Sequence, residues 1–166
     1  YCSGKEAATL AAYQTMNFIR DIAADSDFVF DRERIGLLGQ SAGGFTVIKL
    51  ASDYTPNFAT DGFEIKGMMS MSGGWFDQGT VMSPNVPYYL LHGTTDTTVG
   101  DEYSHWANGG TGNTAVDTCS ALTVPLNCLE LVNEGHVNSE WLGAIGSPES
   151  TGYHDKIDLF FNTVLV

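Results

Sequence analysis

The stretch DRERIGLLGQSAGGFTVIKLASD, residues 31–53, restricts the possible folds of this chain more than any other. It opens on a short apolar run at about 34–39, of the kind buried on both faces of a parallel sheet. It ends in a segment to about Asp53 whose apolar residues Phe45 and Ile48 have helical spacing. Between the two, three glycines surround one serine, where an ordinary strand-to-helix connection needs one. The alternation continues on either side. An Ala-rich helix with Leu10, Tyr13, Met16, Ile19 and Ile22 in register is expected over 5–25. Further strands are expected at 66–74, 86–96 and 125–136. A helix at roughly 99–108 is followed by the Gly/Asn-rich loop NGGTGNTA, and YHDKIDLFFNTVLV closes the chain as a helix. Strands alternating with helices predict an α/β fold, a mostly parallel sheet flanked by helices. With no internal repeat or linker, residues 1–166 read as one domain.

Charge narrows the function. Twenty acidic residues stand against seven basic ones, a formal net charge of −13. Nucleic acid is excluded as a partner, because phosphate binding needs clustered Lys and Arg. No apolar run reaches the roughly 20 residues of a membrane span. Cys119 and Cys128 lie close together in DTCSALTVPLNCLEL and are expected to close a short loop as a disulfide. That implies an oxidising compartment, secreted or periplasmic. Cys2 is left over, either a free thiol or half of a bridge. No charged segment followed by an apolar one opens the chain, so any signal peptide is expected to have been removed.

The pattern G-x-S-x-G, here Gly39, Gln40, Ser41, Ala42 and Gly43, gains meaning from its place between strand and helix. In a turn that tight flanking side chains would collide, which explains the glycines at 39 and 43, and the serine Oγ is lifted above the sheet and presented at a helix N-terminus. Free backbone N–H groups there can hold an oxyanion. The same sequence also suits a turn whose serine only caps the helix. A phosphate loop is a poorer match, since the G-K-[ST] ending is lacking.

A serine hydroxyl is a weak nucleophile without a base, and the base needs a carboxylate to orient it. In open α/β sheets such groups lie beyond the C-terminal ends of strands. YYLLHGTTDTTVG places Asp96 after one strand, and LELVNEGHVN places His136 after the last. Asp77 and Asp101 are rivals for the acid. Of the other histidines, His92 reads as a structural group or site wall, and His105 and His154 as surface residues. No H-E-x-x-H or His/Cys cluster points to a metal. Gln40, Trp75 and Phe76 are candidates to line a pocket, although aromatics near strand ends are as often core.

These motifs together resemble the C-terminal catalytic half of an α/β-hydrolase of the esterase/lipase type. GQSAGGF resembles the nucleophile elbow, LLHGTTDTTV the acid strand, and NEGHVN the histidine loop. The resemblance runs from about residue 6 to the C-terminus. It implies a serine hydrolase cleaving carboxylic esters, with Ser41 as nucleophile, His136 as base, Asp96 as acid and the Ala42 N–H in the oxyanion hole. No cofactor is implied. The short interval between Ser41 and Asp96 leaves little room for a lid. Small-molecule or polymeric esters are therefore expected (short-chain, polysaccharide-linked or polyester) rather than long triglycerides. A serine peptidase on the same fold, or a non-catalytic binding module, are the alternatives.

The resemblance is incomplete at one end. Only residues 1–33 precede the serine strand, where the family has further strands and a second oxyanion donor. The sheet is then expected to expose an apolar edge. A domain incomplete at its N-terminus is the favoured explanation, with Cys2 bridged to the segment that precedes it. A homodimer that completes the sheet and an inactive relative are the others.

Overall fold

The computed structural model describes residues 2–24, 31–75, 86–107, 117–119, 121–136 and 153–166. In chain order the elements are α1 (Cys2–Ala24), β1 (Ile35–Gln40), α2 (Ala42–Asp53), α3 (Thr55–Thr60), β2 (Ile65–Met71), β3 (Tyr88–Gly93), α4 (Glu102–Ala107), β4 (Cys128–Val132) and α5 (Tyr153–Val164). The strands form one parallel sheet in the order β1-β2-β3-β4. Parallel strands bring their C-terminal ends to one edge, so the turns after Gln40, Met71, Gly93 and Val132 share a rim.

Both faces of β2, β3 and β4 are covered, which is why these strands read as near-continuous apolar runs. On one face Ile35, Leu37, Met68, Leu90 and Leu129 pack with Val47, Ile48 and Leu50 of α2 and with Phe58 of α3. On the other, Met69, Met71, Tyr89 and Leu91 pack with Phe160, Phe161 and Val164 of α5. Gly36 and Gly67 are neighbours across β1 and β2. A Cβ at Gly36 would lie 2.6 Å from Phe161, and one at Gly67 would lie 2.7 Å from Val164, so the pair makes the seat on which α5 rests. A polar link ties α5 to β4: the half-exposed Lys156 pairs with Glu130, whose carboxylate also accepts the buried Tyr89 hydroxyl of β3 at 2.7 Å. Cys119 and Cys128 are joined in a disulfide, anchoring the segment before β4 to that strand.

Three differences from the sequence-based expectation have physical causes. α3 was not anticipated; at six residues it is too short to show a period, although Pro56 in its first turn suits a helix start. β2 stops at Met71 because Ser72 takes a left-handed backbone, φ 47°, and the chain leaves the sheet. The apolar stripe of α1 is only partly covered. Ala12, Tyr13 and Met16 pack against the core, whereas Leu10, Ile19 and Ile22 are 45%, 38% and 49% exposed. α1 lies outside the α2–α3 layer, with Tyr13 against Tyr54 and Phe58, and that layer covers only a narrow strip of it. Among the described residues β1 pairs on one side alone, with β2. Leu38 on it is 55% exposed, while Ile35 and Leu37 are buried. Also among the described residues, no helix is long and apolar enough to cross a membrane.

Candidate active site

Ser41 occupies the one-residue turn between β1 and α2, with φ 54° and ψ −122°. A non-glycine residue in this region is strained and is retained where the surroundings impose it. Here the Ser41 N–H donates to Met71 O at 2.9 Å, and the Ser41 carbonyl accepts from Phe45 N–H at 3.2 Å. The turn therefore hangs between the end of β2 and the first turn of α2. Ser41 stands at the N-cap position but makes no side-chain capping bond, which removes the capping role considered from the sequence. Its Oγ lies 2.8 Å from His136 Nε2 instead.

The glycines of this turn divide differently from the motif. A Cβ on Gly39 would lie 2.2 Å from Gly43 O, so Gly39 must be glycine. A Cβ on Gly43 would meet nothing within 4 Å, so the expectation of a steric need at Gly43 is corrected. The second crowded position is Gly44, whose Cβ would fall 2.6 Å from Ser70 Oγ and 2.9 Å from Gly73 Cα. The helix start is thus pressed against the chain leaving β2.

Asp96 follows β3, its side chain fully buried. Its Oδ1 accepts the backbone N–H groups of Thr98 and Val99, both at 2.8 Å, a turn typical of aspartate. Its Oδ2 lies 2.7 Å from His136 Nδ1. A carboxylate can only accept, so Nδ1 carries the hydrogen and the Nε2 lone pair faces the Ser41 hydroxyl. His136, side chain 16% exposed, arrives on the loop after β4. That loop crosses the end of β3 closely: the Thr94 N–H donates to Val132 O at 2.8 Å, and the Thr95 N–H to Glu134 O at 3.1 Å. Gly93 permits the crossing, since a Cβ there would lie 2.1 Å from Glu134 O.

Ser41, His136 and Asp96 thus stand in one hydrogen-bonded line, and such a line can pass a proton from a hydroxyl to an imidazole held in one tautomer. His136 takes Asp96 as its partner rather than Asp101; Asp77 lies outside the described residues. Ala42 is the first residue of α2, where N–H groups have no intrahelical acceptor. Gln40 ends β1 and is half-buried beside Met71. The Trp75 ring packs against the α2-side core with Lys49 Nζ 5.6 Å from its centre. Phe76 lies outside the described residues, as do the side chains of His105 and His154. Sequence reasoning missed Gly93, whose need appears only across the sheet. It also missed Ser104, whose Oγ is 2.6 Å from Nδ1 of the buried His92. The turn at Asp96 had a local signal in D-x-x with a strand end before it.

No family model matches the chain, and no curated protein matches it. Solved structures share its fold, two of them as follows. A thermostable esterase superposes with a TM-score of 0.50 at 18% identity, over 91% of this chain and 36% of that one. Acyl-protein thioesterase 2 from Zea mays superposes with a TM-score of 0.55 at 17% identity, over 98% of this chain and 66% of that one. The architecture is that of the α/β-hydrolases. The chain spans less than two thirds of either neighbour's length.

Proposed function

We propose that this chain carries the catalytic centre of a secreted serine hydrolase that cleaves carboxylic esters. The observation that carries the reading is the line from Ser41 Oγ to His136 Nε2 at 2.8 Å and from His136 Nδ1 to Asp96 Oδ2 at 2.7 Å. In this reaction the Ser41 Oγ attacks the ester carbonyl carbon while His136 Nε2 takes its proton. The carbonyl oxygen becomes an oxyanion facing the Ala42 N–H at the start of α2. The intermediate collapses, the C–O bond to the alcohol breaks, and His136 returns the proton to the leaving oxygen. Water, deprotonated by the same imidazole, then attacks the acyl-serine and releases the acid. Asp96 holds the imidazole in this tautomer throughout. The names of the two structural neighbours, an esterase and a thioesterase, support acyl transfer in general. The disulfide supports an oxidising compartment. Short-chain, polysaccharide-linked or polyester esters are the proposed substrates.

Intact mass before and after a fluorophosphonate probe tests this. One adduct is expected on the unmodified chain and none on Ser41→Ala. Asp96→Asn is expected to lower the labelling rate by about 10³–10⁴, because the imidazole would take the wrong tautomer. A folded chain that takes no adduct refutes the proposal. Ester and matched amide substrates compared at equal concentration separate esterase from peptidase.

A further inference from the structure

His92 is the penultimate residue of β3, and its side chain is fully buried. Its Nδ1 lies 2.6 Å from Ser104 Oγ on α4, and its Nε2 lies 2.9 Å from the Val99 carbonyl oxygen. Those two partners satisfy a core histidine. A third contact goes beyond what packing requires: Nε2 is 3.3 Å from Asp96 Oδ2, the oxygen that also receives the His136 Nδ1–H. The Val99 carbonyl and the carboxylate both only accept, so Nε2 must carry a hydrogen, donated to Val99 O with Asp96 Oδ2 beside it.

The Asp96 carboxylate has no solvent on any side, so its orientation depends on these protein donors. Oδ1 takes two backbone N–H groups, and Oδ2 has an imidazole on each side, His136 toward the rim and His92 beneath. The Val99 residue joins the two sets, its N–H on Oδ1 and its carbonyl on His92. The link continues away from the acid. Ser104 Oγ, its single hydrogen shared between Nδ1 and the Gly73 carbonyl, lies 2.8 Å from Gly73 O, and Gly73 is packed against Gly44, in the first turn of the helix behind Ser41. A buried polar chain therefore connects the acid loop with the turn that holds the serine.

We propose that His92 is a positioning residue: its Nε2–H holds the Asp96 loop and the Oδ2 oxygen where His136 needs it. This rests on the catalytic roles of Ser41, Asp96 and His136 given above. Two polar variants separate this role from a structural one. His92→Asn keeps a polar atom near Nδ1 for Ser104 but does not reach Asp96. His92→Gln places its amide near Nε2 and keeps a donor for Val99 O and Oδ2.

Fluorophosphonate labelling, kcat and KM on a short-chain ester, thermal melts and one-dimensional proton NMR are measured on the full chain. The His136 Nδ1–H resonance is identified by its loss in His136→Ala. His92→Gln is expected to label within about 3-fold of the unmodified rate. His92→Asn is expected to fall by about 10–100-fold, since a misplacement near 1 Å costs about 10², with KM within about 2-fold. The Nδ1–H resonance should persist in the Gln variant and broaden or vanish in the Asn variant. The proposal is overturned if folded His92→Asn labels at the unmodified rate, or if His92→Gln falls as far as His92→Asn. Should the unmodified chain take no probe, the hydrolase reading fails. The NMR comparison then decides the positioning role alone, and an unchanged resonance in both variants overturns it.

Discussion

Replacing Gly93 by alanine puts a single methyl group where the histidine loop crosses the end of β3. Its Cβ would lie 2.1 Å from Glu134 O and 2.6 Å from Gly135 O. Such contacts are essentially never closer than 3.0 Å, so the loop must give way by at least 0.9 Å (3.0 − 2.1). His136 is the next residue along, and its hydrogen bonds to Ser41 and Asp96 start at 2.8 and 2.7 Å. A displacement of that size carries one or both out of hydrogen-bond reach. The expected result is a fall of about 10² in the fluorophosphonate labelling rate. Overpacking should also destabilise the fold by about 1–3 kcal/mol, or roughly 2–4 °C in Tm for each kcal/mol in a chain of this size. Gly135→Ala is the control, because a Cβ there meets nothing within 4 Å. It should label within about 2-fold of the unmodified rate, the range expected when no misplacement arises. Equal labelling of folded Gly93→Ala and Gly135→Ala would refute the steric argument.

Other consequences are equally direct. Gly39→Ala meets the Gly43 backbone at 2.2 Å and should cost Ser41 its labelling. Gly43→Ala, in open space, should fold as well as the unmodified chain or up to about 1 kcal/mol better; urea melts that rank the two in the opposite order contradict this. Replacing Cys119 and Cys128 together by alanine removes a bridge between residues 9 apart. This should lower stability by about 2–3 kcal/mol on loop-closure grounds; a loss under about 0.5 kcal/mol, well below that range, would show that the bridge constrains little. Burial holds the Tyr88 phenol above its ordinary value, which is about 10. Its contribution to stability is then complete below about pH 10 and lost as pH rises through the raised folded value. Urea midpoints between about pH 9 and 11 should fall more steeply for the unmodified chain than for Tyr88→Phe, and parallel slopes would count against it.

Much of this fold is written locally. A parallel strand announces itself in Ile35–Leu38 as a short unbroken apolar run, although only the Ile35 and Leu37 face of it is buried, and a helix in Phe45–Asp53 because apolar positions recur at its period. That Ser41, Asp96 and His136 meet at one rim was legible for a related reason. Each follows a strand end, and parallel strands deliver their C-terminal turns to one rim whatever the details of packing. The pairing of Cys119 with Cys128 was similarly visible from their nearness along the chain. Long-range close approach was not legible. Nothing in NEGH or LHG says that Gly93 must lack a side chain and Gly135 need not, since that difference depends on Glu134 lying over β3. The motif makes Gly39 and Gly43 look equivalent, yet only the packing of α2 on the turn after β2 moves the second steric demand to Gly44. His92 reads as a core residue until β3, α4 and the Asp96 turn are brought together around it. Period and turn chemistry belong to a few consecutive residues and survive in the sequence. Contacts between residues far apart in the chain exist only once the sheet register has set their distance.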